Sequence, residues 1–455
     1  MPDQESGTSR RAFAATAAMI VPRHVLGGAG YQAPSDTLRI AGIGVGGMGR
    51  RYLQGCAGER VVALCDVDHD FAAKVFRKYP QAAVFQDWRK LMDRDKEFDA
   101  VIVATPDHNH ALITLAALKR GKAVYCAKPL THTIHEARLV RDAARKAGVA
   151  TQTSVQSAAN EDACSTAEVL ASGAIGAITE VHVWCDHPLY PAGQVRPVHT
   201  PAVPKAMDWD LWLGPAPYRP YSRAYHPWIW RSWWDFGTGT VGDMMSHALH
   251  VFHGPLKLGS PLSVHGCRNK MHGGLFEMDA NGNETLPPLI ATPECESYAC
   301  SLAWDFPARQ GRPPLRLHWY DGGLKPFRPP ELSPGKPLPS AGVLYCGDKG
   351  KLLTAYSGGR RQFLPEEKFR GYAPPPKSLN RTAGHYAEWT RAAKGQGATS
   401  CGFELGSQMA EVALLGTIAA RSARYIEWDS ARGVVTNDAE ANGWVNPACR
   451  KGWEL

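Results

Sequence analysis

From residue 38 onward, short apolar runs alternate with stretches in which apolar positions recur every three or four residues. The runs at 38–43, 61–67, 100–104 and 123–126 have strand length and few polar breaks, the pattern of strands buried on both faces. Between and after them, 48–56, 71–79, 110–120 and 134–147 carry helical periodicity, the last closed by Gly148. This alternation predicts a doubly wound parallel sheet, a Rossmann-type α/β domain, over residues 35–153.

Past about residue 151 the pattern changes. Residues 180–186 alternate as a strand, whereas 187–234 are crowded with Pro, Trp and Tyr and read as a long ordered loop. Strand-like runs follow at 262–267, 297–304, 315–320 and 342–354. A second α+β domain with a large mixed or antiparallel sheet is therefore expected over 154–455. The small and apolar residues of 404–424 form a helical run expected to pack between the domains. Pro-rich pieces at 326–339 and 374–376 mark surface excursions.

Residues 1–34 stand apart. Ser9-Arg10-Arg11-Ala12-Phe13 precedes an Ala-rich stretch too short to span a bilayer, and Gly27-Gly28-Ala29-Gly30 follows as a small-residue region. The segment reads as a twin-arginine export signal and linker, so a periplasmic or otherwise exported destination is expected.

Composition narrows the class. The 455 residues include 44% hydrophobic and 21% charged residues, and the net charge is +8. This is ordinary for a globular protein. No Lys/Arg block with interleaved aromatics points to nucleic acid, and no later run has membrane-spanning length. The eleven cysteines are an odd number, scattered and without a Cys-x-x-Cys pair, which fits buried thiols better than a disulfide framework or a zinc site.

Candidate chemistry begins at Gly44-Val45-Gly46-Gly47-Met48-Gly49, between the first strand and the first helix. Gly44, Gly46 and Gly49 fit the Gly-x-Gly-x-x-Gly spacing, which provides a tight turn, close backbone approach to a pyrophosphate and close helix packing. Asp66, at the end of the second strand, is placed to accept hydrogen bonds from an adenosine ribose and to repel a 2′-phosphate, so NAD is expected over NADP. An exported enzyme meets no free nicotinamide pool, so the cofactor is expected to be tightly bound, loaded before export and regenerated in place.

At Ala127-Lys128-Pro129-Leu130 the chain resembles the Gfo/Idh/MocA oxidoreductases. Supporting the resemblance are the glycine turn, the loop Ala104-Thr105-Pro106-Asp107-His108-Asn109-His110, and the run from Trp233 through Gly237, Gly239, Gly242 and Asp243 to His247. It implies that Lys128 lies beside the nicotinamide and the reacting hydroxyl, although Ala127 stands where a Glu is usual. It also implies that Asp243 binds a substrate hydroxyl and that His247 acts as acid/base or hydrogen-bonding partner. Four residues apart, these two share one helix face. His247, His250 and His253 have a spacing tolerable for metal ligands on a helix, but no further ligand besides Asp243 is indicated nearby and no metal is expected.

Thr105, Pro106, His108 and Asn109 are expected to border the cofactor with Gly47 and Met48, although Asn109 equally suits a helix cap. Trp230, Arg231, Trp233 and Trp234 are expected to bind substrate, with Trp228, Tyr221, Tyr225 and His226 either stacking on a sugar or filling a core. Trp184, His187 and Tyr190 are weaker candidates for the same wall. Together these imply an NAD(P)-dependent oxidoreductase acting on a hydroxyl of a sugar, sugar derivative or glycoside, with a recycled cofactor. Two alternatives stay open: a glycoside hydrolase working by transient oxidation, elimination, hydration and re-reduction, and a catalytically silent carbohydrate-binding protein. A homo-oligomer is expected from the exposed face of the second sheet.

Overall fold

A computed structural model describes residues 36–186, 190–270, 277–278, 280–285, 294–382 and 384–455. Residues 1–34, expected to be an export signal and linker, and His187 lie outside the described residues.

The apolar runs form β1 (Arg39–Ile43), β2 (Arg60–Cys65), β3 (Ala83–Phe85), β4 (Ala100–Val103), β5 (Ala123–Cys126) and β6 (Thr151–Thr153). They build one parallel sheet in the order β3-β2-β1-β4-β5-β6. Every residue of β4 and β5 is buried, as their unbroken apolar sequence requires. The crossovers are α1 (Arg50–Gly55), α2 (His69–Lys78), α3 (Trp88–Met92), α4 (His110–Lys119) and α5 (Ile134–Ala147). Local chemistry sets their ends. Asp68 caps α2 by accepting from the Phe71 amide, and α5 starts in a capping box of Thr133 and Glu136 and stops at Gly148 with φ 64°. The strand order reverses between β1 and β4, which opens a crevice at their C-terminal ends.

The second sheet starts after α6 (Glu161–Ser172) with β7 (Ile178–Trp184). The stretch beyond it holds α7 (Trp209–Leu213), a 3₁₀ turn at Ile229–Ser232, α8 (Gly239–Met244) and α9 (Ser246–Phe252), so it is more ordered than a plain loop. There follow β8 (Ser263–Arg268), a two-strand ribbon of β9 (Glu277–Met278) and β10 (Glu284–Thr285), β11 (Cys300–Phe306) and β12 (Leu315–Tyr320). The remaining strands are β13 (Gly342–Gly347), β14 (Gly350–Thr354), β15 (Gln362–Leu364), β16 (Ile426–Asp429) and β17 (Val434–Val435). Nine strands pair in the order β15-β14-β13-β7-β12-β11-β8-β16-β17. Only β7 and β12 run parallel, so the sheet is mixed. The run at 342–354 is a hairpin rather than one strand, because Gly347-Asp348-Lys349-Gly350 reverses the chain.

The last helices are α10 (His385–Ala393), α11 (Phe403–Ser422) and α12 (Ala439–Gly443). Two glycines let α11 touch both sheets. A Cβ on Gly406 would fall 2.2 Å from Thr153 of β6, and one on Gly416 would fall 2.3 Å from Trp304 of β11. Glu411 of α11 also pairs with Arg138 of α5 at 2.9 Å. None of the eleven cysteines forms a disulfide, and most of them are buried. Among the described residues no helix is long and apolar enough to cross a membrane.

Candidate active site

One cavity of ≈ 280 Å³ runs from the glycine turn to the end of β5 and on to α8 and α9. At its first end Gly44 takes φ 78°, and a Cβ there would come within 2.6 Å of the Ala104 backbone. Gly49 is held by a similar constraint, since its Cβ would meet the Gly44 carbonyl at 2.4 Å. This is the close packing that the spacing predicts. Asp66 accepts from the Gly46 amide at 2.8 Å and from the Asp68 amide at 3.1 Å. Burial pushes its carboxyl above the usual range against the pull of those two amides. Gly44, Gly47, Met48, Asp66, Thr105 and Pro106 border the cavity, as expected of cofactor contacts.

These residues fit a dinucleotide. The Thr105 hydroxyl is buried with no protein partner beside the cavity, which leaves a hydrogen-bonding group for a ligand. Gly46 itself does not border the cavity, because the Phe71 ring lies over it, 2.2 Å from where a Cβ would stand.

At the other end Lys128, just past β5, places Nζ 2.6 Å from Asp243 Oδ1 and also donates to the Asp243 carbonyl at 3.1 Å. Tyr190 donates to the second carboxylate oxygen at 2.8 Å. Burial alone would raise the Asp243 pKa, yet the charges of Lys128 and Arg231 and these hydrogen bonds hold it below the usual range. Asp243 is therefore an anion between two donors. His247, one turn later, also borders the cavity. Burial, then the Lys128 charge, pushes its imidazole down to about 3, so it is neutral.

Asp107 contributes a second carboxyl. It is buried, borders the cavity and accepts from Thr238 Oγ1 at 3.0 Å. Burial, then the Asp243 charge, pushes it up to about 8, so it keeps its proton at neutral pH. His110 ties this loop to the lysine loop, its two ring nitrogens meeting the Pro129 carbonyl at 2.9 Å and the Thr105 carbonyl at 2.8 Å. The carboxylate that pairs with Lys128 here is that of Asp243, while buried Ala127 borders the cavity without one.

Several expectations need correction. His108 does not face the cofactor cavity. Its ring nitrogens lie 3.1 Å from the Phe236 carbonyl and 2.9 Å from that of Trp212, so it is spent on joining loops. Asn109 borders the cavity but caps no helix, since its amide donates to the Trp212 carbonyl. Trp233 is fully buried in an aromatic core with Trp209, Tyr225 and Phe236, its indole N–H held by the Ala224 carbonyl. Trp234 faces a separate cavity behind His108 and His132. Neither borders the cavity that holds Lys128 and Asp243.

Trp230 and Arg231 do border the site, and the Arg231 guanidinium lies over Trp230, Trp228 and Tyr190 at 4.1, 4.4 and 5.1 Å. Trp184 packs instead beneath the Pro-rich loop, donating to the Pro339 carbonyl. Among the described residues His247, His250 and His253 do not assemble as metal ligands, whereas Glu180, His182 and Cys346 on the large sheet bring their ligand atoms within 4.8 Å of one another.

A dinucleotide crevice at a switch point, whose Lys128 meets an Asp–Tyr pair from a second domain, defines a Rossmann-type oxidoreductase class. Residues 38–155 match the Gfo/Idh/MocA model described as an oxidoreductase family with an NAD-binding Rossmann fold, and residues 171–257 match that family's C-terminal alpha/beta domain. The chain thus carries both domain signatures of the Gfo/Idh/MocA oxidoreductases.

Inositol 2-dehydrogenase of Paracoccus denitrificans is 40% identical over 117 residues, 25% of this chain and 34% of that one. The chain therefore aligns with about a third of the length of this curated relative. Among solved structures, the WlbA dehydrogenase of Bordetella pertussis in complex with NADH and UDP-GlcNAcA shares the fold, with a TM-score of 0.58 and 15% identity over 86% of this chain and 99% of the other. So does a levoglucosan dehydrogenase in complex with NADH and levoglucosan, with a TM-score of 0.53 and 18% identity over 86% and 99%.

Proposed function

We propose that this protein is an NAD-dependent oxidoreductase acting on a hydroxyl group of a sugar, sugar derivative or glycoside. The contact that carries the reading is Lys128 Nζ against Asp243 Oδ1 at 2.6 Å, buried at the end of the cavity that starts at the glycine turn. Bound NAD would supply a hydride acceptor and donor. Gly44, Gly47, Met48, Asp66, Thr105 and Lys128 would hold it.

The protein's own groups handle the proton. His247, neutral and pushed down to about 3, can relay the hydroxyl proton onward to solvent but not store it, while the Lys128 ammonium stabilises the oxygen as charge develops there. Asp243 and Tyr190 keep Lys128 in place. The Arg231 platform with Trp228 and Trp230 offers an apolar face and a charged donor to a sugar ring. A sugar or polyol substrate accords with the names of the relatives above.

The twin-arginine pattern at residues 9–13 supports export of the folded, loaded protein. A reaction that ends with the cofactor in its starting state follows from that address. One observation favours the hydrolytic version. Asp107, protonated near neutral pH, is an acid suited to a departing glycosidic oxygen after transient oxidation.

Two measurements test the function. Denaturing the purified protein should release NAD, and incubation with a glycoside panel should yield either a keto-sugar or free aglycone without net oxidation. Absence of any nucleotide, or no turnover on sugars, polyols or glycosides, would refute the reading.

A further inference from the structure

The end of the cavity beyond Asp66 is closed from above by the second domain. Residues 204–228 cross the C-terminal ends of β1 and β2 and are stitched down by backbone contacts. The Asp208 amide donates to the Val67 carbonyl at 2.9 Å, and the His69 amide to the Ala206 carbonyl at 3.0 Å. Met207 forms a β-bridge with Asp68, and the Gln86 side-chain amide donates to both the Val67 and Ala206 carbonyls. On its far side the same stretch is tied to the chain's last residues, where Arg450 donates to the Gly214 carbonyl.

Two side chains also hydrogen-bond to each other across the gap between this stretch and the Rossmann domain. His226 Nε2 lies 2.9 Å from Asp68 Oδ2, with both residues buried. Asp68 also caps α2, and the His226 ring meets Phe71 edge-on at 5.6 Å. Phe71 in turn covers Gly46. Leu211, Trp212, His226 and Pro227 border the cavity opposite Val67 and Trp88. In a Rossmann domain the carboxylate after the second strand meets the adenosine ribose. These residues therefore enclose the adenosine half of a dinucleotide, whose surface an open crevice would leave wet.

We infer that residues 204–228 form a strap over the adenosine subsite, fastened by His226 to Asp68, which makes the bound dinucleotide slow to leave. His226 and Asp68 are positioning residues for the cofactor rather than catalytic ones. The inference rests on the reading that the crevice holds NAD. It adds which part of the chain retains it, and why a protein remote from a nucleotide pool would keep its cofactor through many turnovers.

The test follows NADH release by energy transfer from tryptophan, with excess NAD as the displacing ligand, alongside the nucleotide content of denatured protein. Wild-type protein should hold close to one nucleotide per chain through extended gel filtration. His226→Ala should speed release by about 10-fold or more, the loss expected for one buried charge-assisted contact. His226→Gln, which keeps a donor, should restore much of the retention. Asp68→Asn preserves the helix cap and should behave as His226→Ala does, so it carries the test if the alanine variant does not fold.

Three outcomes overturn the proposal. Wild-type protein that binds NAD but exchanges it freely removes the strap while leaving the function reading intact. So does His226→Ala and Asp68→Asn protein that releases NADH as slowly as wild type. Wild-type protein that neither carries nor takes up nucleotide removes both readings.

Discussion

The two ends of the cavity are built by opposite means. At the glycine turn the cavity is bordered by backbone and one carboxylate from a continuous stretch, residues 44–66, and the close approach of that backbone follows from missing side chains. At the far end the groups are ionisable side chains from four separate stretches, carrying Asp107, Lys128, Tyr190 and Asp243, and the states of Asp107, Tyr190 and Asp243 follow from burial and neighbouring charge. Binding is thus specified locally, and chemistry is specified by tertiary assembly.

That contrast can be broken experimentally. The largest effect should come from Lys128→Ala, which strands the buried Asp243 anion. Turnover should fall by about 10³-fold, measured on protein whose nucleotide content is checked separately. Retained activity would remove Lys128 from the chemistry.

Gly44→Ala attacks the other end. It forces a Cβ into the Ala104 backbone at a left-handed φ of 78°, so nucleotide content should drop by at least about 10-fold. An unchanged nucleotide signal would show that the turn does not hold the cofactor. Tyr190→Phe removes one hydrogen bond to a buried carboxylate and should cost about 10-fold in kcat with nucleotide content unchanged.

A pH dependence separates the two carboxyls. Asp107 holds its proton up to about 8, above the roughly 4 of a free carboxyl, so the folded state binds a proton that the unfolded chain releases. Its contribution to stability is complete below pH of about 4 and is lost as pH rises through about 8. If its proton is used, kcat falls over the upper part of that window, and Asp107→Asn flattens that limb. A limb that persists in Asp107→Asn assigns it to another group. Smallest of all should be His108→Gln, which costs roughly 1–3 kcal/mol of stability by calorimetry but leaves nucleotide content alone, because the ring joins loops and touches no cofactor.

How much was legible follows the same divide. The parallel sheet could be read because strands buried on both faces are apolar throughout, and helix α5 could be bounded because Thr133, Glu136 and Gly148 mark its ends. The glycine turn and Lys128 sit at strand ends, where local pattern and ligand site coincide. The tryptophans could not be sorted. In a stretch without regular period, nothing in the spacing says that Trp230 faces the cavity while Trp233 turns into an aromatic core. Asp107 and His108 are neighbours in a 3₁₀ turn that face different cavities, and only the buried surroundings separate a retained proton from two carbonyl contacts. Tyr190 lies 53 residues from its carboxylate, so only the fold joins them. The 342–354 run is strand-like on both sides, and only the turn signal Gly347-Asp348-Lys349-Gly350 marks it as a hairpin.

Asp66 has a consequence for how this protein could change its cofactor. The same carboxylate that would meet a ribose also ties the Gly46 amide to the Asp68 amide. A substitution that admitted a 2′-phosphate by removing the negative charge would therefore leave two amides without their acceptor and slacken the loop they shape. Moving from one nicotinamide coenzyme to the other should be a two-step evolutionary path here, with a new acceptor for those amides arriving before or together with the loss of Asp66.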